Sequence, residues 1–244
     1  MSCSGSSTCG MNDPKTFDAI GPTPIKYGSP GDYTRKEIKC ERKLYAELVD
    51  WLATLKYYST VFGGWSMNEI KYVGHVGAYV CKPGCHGLGQ AFDINRIQWD
   101  GVASDMYGGD HSSGDRKVRR RYLAVDASCR RYFKYTLDGW YNPDHTNHIH
   151  VDLHTTPVFS KESLSDVGFI QAVCNNFNGA GLTIDGTWGP RTKDAWRDVN
   201  DQWGYNGCEP FSNEVATAEW CNFVMAHGFA DQPASAAILR SPLC

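Results

Sequence analysis

The chain has 244 residues, 41% hydrophobic and 21% charged, with a formal net charge of −3, the composition of a globular protein with ample apolar material for a core. A balance so near neutrality excludes a protein-wide pull on nucleic acid or anionic lipid, and no run approaches the ~18 apolar residues that a membrane-spanning helix needs. The charge is uneven: residues 1–160 carry 19 Lys/Arg against 17 Asp/Glu, residues 161–244 only 5 against 10.

Residues 1–34 are rich in Ser, Gly, Pro and Thr without periodicity and read as an arm or linker pinned by Cys3 and Cys9. A first domain is expected over residues 35–158. It opens with a helix in "RKEIKCERKLYAELVDWLATLKYY", where Ile38, Leu44, Leu48, Trp51 and Leu52 recur near helical spacing. Strands follow in "IKYVGHVGAYVC" and "AFDINRIQW", then a loop over residues 101–114. "DRKVRRRYLAVDASCRRYFKYTL" predicts a basic amphipathic helix with Val118, Tyr122, Val125 and Cys129 on one side and its arginines on a solvated face. In the last strand, "HTNHIHVDL" and the next residue place His148, His150, Asp152 and His154 on one face and Ile149, Val151 and Leu153 on the other.

A second, small helical domain is expected over residues 159–244. "FIQAVCNNF" reads as a short helix and "GAGLTIDGTWG" as a loop, and Pro190 opens a helix with Ala195, Trp196, Val199 and Trp203 on its apolar side. "NEVATAEWCNFVMAHGF" predicts a last helix carrying a structural His227. Cys174, Cys208, Cys221 and Cys244 are expected to staple this module, which is too small to bury much core alone.

The ten cysteines, spread along the chain, point to disulfides and hence to a secreted or extracytoplasmic protein. The first residues, "MSCSGSSTCGMNDPK", lack the apolar stretch of a signal peptide. Export is therefore expected after removal of a leader or by another route.

His86 and Asp93 in "CHGLGQAFDI", together with His150, form the donor set of a catalytic zinc site, in which three His and carboxylate ligands leave the fourth position to water. A metal so held lowers the pKa of its water towards ~7 and polarises a carbonyl, which implies hydrolysis. His148, two residues from His150 on the same face, is placed to act as general base, and His145 to hold an oxyanion or orient its neighbours.

The pattern H-x-x-G-x-A-x-D at His86, Gly89, Ala91 and Asp93, followed by H-x-x-H-x-H at His145, His148 and His150, resembles the zinc peptidases of the lysostaphin, D-Ala-D-Ala metallopeptidase and hedgehog type. "GAYVC" and "YLAVDASCRRYF" extend the resemblance to the extensin-like C-terminal domains among them, over approximately residues 40–155. The resemblance implies a small α+β fold on an antiparallel sheet, with His86, Asp93 and His150 as zinc ligands, His148 as base and His145 as partner. Two positions depart from the pattern: Gly84 stands where many relatives have Ser, and Lys82 where an Arg is common, so a substrate clamp there is a point charge instead of a fork. Asp185, Gly186, Gly189, Pro190, Thr192 and Ala195, as "DGxxGPxT" and "xxAW", resemble peptidoglycan-binding domains.

Together these features predict a secreted zinc peptidase that hydrolyses stem-peptide or cross-link bonds of bacterial peptidoglycan, as an endopeptidase or a carboxypeptidase. Two alternatives stay open: a non-catalytic wall- or glycan-binding protein with a vestigial metal site, and a delivered antibacterial toxin with the same chemistry and an inhibitor or immunity protein as partner. Cys81, Cys85 and His86 could also form a Cys/Cys/His zinc cluster. An oxidising compartment favours disulfides instead, with Cys81–Cys129 as the expected bridge between strand and basic helix.

Overall fold

The computed structural model describes residues 9–153 and 156–230, so the expected roles of Cys3, His154 and Cys244 lie outside the described residues. The segment expected as an arm is sheet: β1 (Pro14–Phe17), β2 (Ala19–Ile20), β3 (Thr23–Tyr27) and β4 (Thr34–Arg35). Its polar composition hides an alternation in β3, where Thr23 and Ile25 point inward. The expected first helix begins late. Ile38–Glu41 is strand β5, with Ile38 opposite Phe17 of β1, and α1 runs over Arg42–Phe62 with Leu44, Leu48, Trp51, Leu52 and Leu55 buried.

β6 (Ile70–Gly77) and β7 (Ala91–Trp99) take the two expected strands, and the following loop contains a short β8 (Ala103–Asp105). Helix α2 (Arg116–Arg130) starts at Asp115, whose carboxylate accepts the Lys117 N–H and satisfies one open donor of the first turn. β9 (Tyr135–Leu137) and β10 (Ile149–Asp152) follow, then α3 (Leu164–Phe177), α4 (Pro190–Trp203) and α5 (Glu214–Phe229). No helix among the described residues is long and apolar enough to cross a membrane.

This is a mixed α/β architecture. The main sheet runs β2-β3-β6-β7-β10-β9, with β4 beside β3 and β8 beside β7, while β1 and β5 pair apart. An all-antiparallel sheet is corrected here: β3 lies parallel to β6. The N-terminal segment that was expected to stand outside the fold supplies that strand.

One face of the sheet carries Val73, Phe92, Ile94, Ile97, Trp99, Ile149 and Val151 into a core continuous with α1, α2, α3 and α5. Trp99 meets Phe229 of α5 edge-on, with ring centroids 5.8 Å apart, and donates its indole N–H to Ser59 of α1. α5 packs closely on α2 because Gly228 permits it; a Cβ there would lie 2.6 Å from the Arg120 carbonyl oxygen. The last helix is thus embedded in the first hundred and thirty residues' core rather than closing a core of its own.

The arginines of α2 are also reassigned. Arg119 and Arg120 donate to the side chain and backbone carbonyl of Asn176, at the end of α3 where the helix dipole is negative. Arg130, 1% exposed, binds Asp126, Asp138 and Asp166 at 2.9, 2.9 and 3.1 Å, donates to Ser165 and lies over the Phe169 ring. One buried cation therefore joins α2, the end of β9 and the start of α3. Burial pushes the carboxyl of Asp126 well upward, and that of Asp166 upward too, against the pull of the shared guanidinium.

The expected Cys81–Cys129 bridge is not formed. Cys81 pairs with Cys9, fastening the N-terminal segment beside the β6–β7 connection, and Cys129 is a buried free thiol. Cys174 and Cys221 are likewise buried thiols, so the C-terminal helices are held by packing where stapling was expected, although Cys208 is disulfide-bonded. Cys129 and Cys221 have sulfur atoms surrounded by core residues, and burial raises both thiols' pKa.

Candidate metal centre

Asp93 on β7 and His150 on β10 are directly opposite in the antiparallel register, so both side chains leave the same face of the sheet. The alternation seen in the sequence does the rest: Ile149 and Val151 enter the core while His150 stays half-buried on the other side. His86 arrives on a one-turn 3-10 helix, Cys85–Leu88, between β6 and β7. That turn closes at Gly89, with φ of 67°, where a Cβ would stand 2.5 Å from the Met11 sulfur. The glycine of the H-x-x-G pattern is thus favoured by its left-handed backbone, with Met11 and the Glu41 N–H packed close beside it.

The three side chains converge. His86 Nε2 is 3.1 Å from Asp93 Oδ2, His150 Nδ1 is 2.8 Å from Asp93 Oδ1, and one donor atom from each residue lies within 4.8 Å of the others. Ligands at zinc distance in a tetrahedron sit roughly 3.3 Å apart, so the spacing and the two-imidazole, one-carboxylate chemistry fit such an ion.

Hydrogen bonds select the atoms that face inward. His86 Nδ1 is 2.5 Å from the Ala78 carbonyl oxygen, which can only accept, so Nδ1 carries the proton and Nε2 keeps its lone pair. On the far side of His150, Asp152 Oδ2 stands 3.7 Å from Nε2. That carboxylate backs the imidazole and was not assigned a role from the sequence; the spacing His150-x-Asp152 on one strand face was its only signal. Burial alone would lower the pKa of His150, but Asp152 and Asp93 outweigh it and raise it to about 9. The carboxyl of Asp93 is held far below the ordinary range because His150 and His86 overcome its burial.

His148 and His145 join the rim. His148 Nε2 is 3.7 Å from Asp93 Oδ1, while its Nδ1 is tied to Asn147. Burial, then the neighbouring imidazoles and Lys82 on the exposed loop, keep His148 neutral at lower pH than usual, against the pull of Asp93. The His145 ring lies 5.1 Å from that of His148 and 6.1 Å from that of His150. Asn142 Oδ1 accepts the Asp144 N–H, so the His145 Nδ1 2.6 Å away from it must be the donor, leaving Nε2 as an acceptor. Burial and the adjacent histidines lower the pKa of His145 to about 4. With Nδ1 held by Asn142, the ring is fixed beside those of His148 and His150.

The Cys/Cys/His alternative is overturned, because Cys81 is bonded to Cys9 and Cys85 is also disulfide-bonded. The second sequence pattern is used internally. Gln171 of α3 donates to Asp185 and Thr192 and accepts the N–H groups of Asp185 and Gly186. Asp185, Gly186 and Thr192 therefore build the turn before α4, and Ala195 and Trp196 pack inward. Compared with family models, curated proteins and solved structures, the chain matches none.

Proposed function

We propose that the protein is a zinc-dependent peptidase acting on peptide bonds in the stem peptides or cross-links of bacterial peptidoglycan. The observation that carries this reading is the convergence of His86, Asp93 and His150 from two separated segments onto one point, with His148 beside them. His86, Asp93 and His150 would hold a zinc ion, which would supply a Lewis acid for water and the scissile carbonyl. His148, neutral and oriented by Asn147, takes the proton of the attacking water and returns it to the leaving amine. His145, fixed by Asn142, orients the neighbouring rings, and Asp152 fixes His150. Lys82, exposed beside the site, offers a point charge to a substrate carboxylate or carbonyl.

The wall as substrate is supported by the sequence resemblance of the site and of the "DGxxGPxT" segment. Asp185, Gly186 and Thr192 serve the fold, and Asp185 and Thr192 also line a small surface cavity with Thr183 and Arg191 that is open to wall contact. The test is release of new amino groups from purified walls. The parent is expected to cleave, to stop with chelator, and to recover with zinc, whereas His150→Ala and Asp93→Ala remain folded and inactive. Cleavage by either variant at the parent rate would overturn the assignment.

A further inference from the structure

The three residues of the metal row, His86, Asp93 and His150, are not held alike. Asp93 and His150 stand on paired strands and take their positions from the register of β7 and β10. His86 has no strand of its own. It rides on the one-turn segment Cys85–Leu88 in the connection between β6 and β7, so its position depends on what grips that turn. Part of the grip is local: the Ala78 carbonyl accepts from His86 Nδ1, and the Val80 N–H donates to the His86 carbonyl.

The rest comes from the N-terminal segment. The Gly10 N–H donates to the carbonyl of Gly87, the residue after the ligand, at 2.8 Å. Met11 packs beside Gly89, where the turn closes. The N–H groups of Asn12 and Asp13 donate to the Glu41 carboxylate, and the Glu41 N–H donates in turn to the Gly89 carbonyl at 2.8 Å. Two carbonyls of the His86 turn are therefore held by residues 9–13, one directly and one through Glu41. The Cys9–Cys81 disulfide closes this arrangement, joining chain positions 72 residues apart and tying the segment to the connection just ahead of His86. Gly87 lies against the carbonyl of Lys82, next to that bond, so the cross-linked stretch and the turn are in contact.

We infer that residues 9–13 are a latch that positions His86, so that the Cys9–Cys81 disulfide sets the affinity of the metal centre. With the turn open only two ligands remain in place, and the apparent affinity falls by the fraction of molecules in which the turn is closed. The latch is also open to redox control. A dithiol reductant exchanges with the bond and leaves as a disulfide, while Cys9 and Cys81 each gain one electron and one proton.

This rests on the metal centre of the proposed function, not on its substrate. Zinc affinity is measured on the oxidised full chain by competition with a chromophoric chelator. Cys9→Ser/Cys81→Ser is expected to bind zinc about 10–100-fold more weakly than the parent, the range for groups that orient a ligand. Met11→Ala is expected to bind it about three- to tenfold more weakly, a tenfold loss corresponding to a turn closed in about one molecule in ten. Cys174→Ala, which removes a buried thiol from α3, is the control for lost stability and is expected to keep the parent affinity. Parent affinity in the folded double variant, or an equal loss in Cys174→Ala, overturns the latch and leaves the peptidase reading standing. If the double variant does not fold, Met11→Ala decides, and parent affinity there overturns the latch. A parent that binds no zinc overturns the latch and the metal centre together.

Discussion

The metal row and the C-terminal helices differ in what holds them together. In the first, three polar side chains, Asp93 and His150 on two strands and His86 on a turn, are fixed by register and short hydrogen bonds, and each can be named from a sequence pattern. In the second, α3 and α5 enter a core shared with α1, α2 and the sheet, and the cysteines expected to staple them at positions 174 and 221 are thiols. The residues of a site can thus be named from two short segments while its supporting frame depends on residues a hundred positions away.

Four experiments probe that contrast, beginning with the largest expected effect. Asp93→Ala is expected to reduce bound zinc from about one per chain to a trace, and Asp152→Asn to weaken binding about 10–100-fold, both read by metal analysis after dialysis. A folded Asp93→Ala protein that keeps its full zinc content would dissolve the row as a metal centre. On the other side of the comparison, Arg130→Met removes the cation shared by Asp126, Asp138 and Asp166 and is expected to cost about 3–5 kcal/mol in urea unfolding. A loss under ~1 kcal/mol would show that the two regions are not joined there.

The third tests the sheet between them. His75 of β6 is fully buried, and neither ring nitrogen has a hydrogen-bond partner among the described residues; burial, against the pull of Asp93, lowers its pKa to about 4. Below about pH 6.5 the unfolded chain gains a proton that the folded one refuses until about pH 4. Stability is therefore complete above that window, falls as pH drops through it, and levels off below, by up to about 3 kcal/mol. His75→Phe is expected to flatten this component, seen as a smaller difference between urea midpoints at pH 7 and pH 4.5; an unchanged difference would assign the acid sensitivity elsewhere. The smallest effect is expected at Cys174→Ala, about 1 kcal/mol for a lost buried thiol with no cross-link broken. A loss of 3 kcal/mol or more would restore the idea of a staple.

The legibility of the chain follows the same division. The positions of His86, Asp93 and His150 were readable because period-two strands and a glycine-closed turn dictate where side chains go within ten residues, whereas His145 and His148 lie in the turn before β10 and were marked only by their spacing. Asp152 escaped assignment because an acid on a polar strand face looks solvated until its neighbour's ring is seen beside it. β3 escaped because a Pro- and Gly-rich segment gives no periodic signal, and its pairing with β6 is set by a contact nearly fifty residues distant. Arg130 resembles the other arginines of α2 in sequence; only the approach of Asp138 and Asp166 from other elements distinguishes it. The disulfide partner of Cys81 was hidden for the same reason, since many connectivities satisfy one spacing.

The four buried thiols at Cys40, Cys129, Cys174 and Cys221 impose a timetable on the nascent chain. Each must be enclosed by its neighbours before an oxidant reaches it, while Cys9 and Cys81 must meet and join. Maturation therefore succeeds when helix docking outruns sulfur chemistry, and refolding yields should rise when oxidant is added after collapse instead of before it.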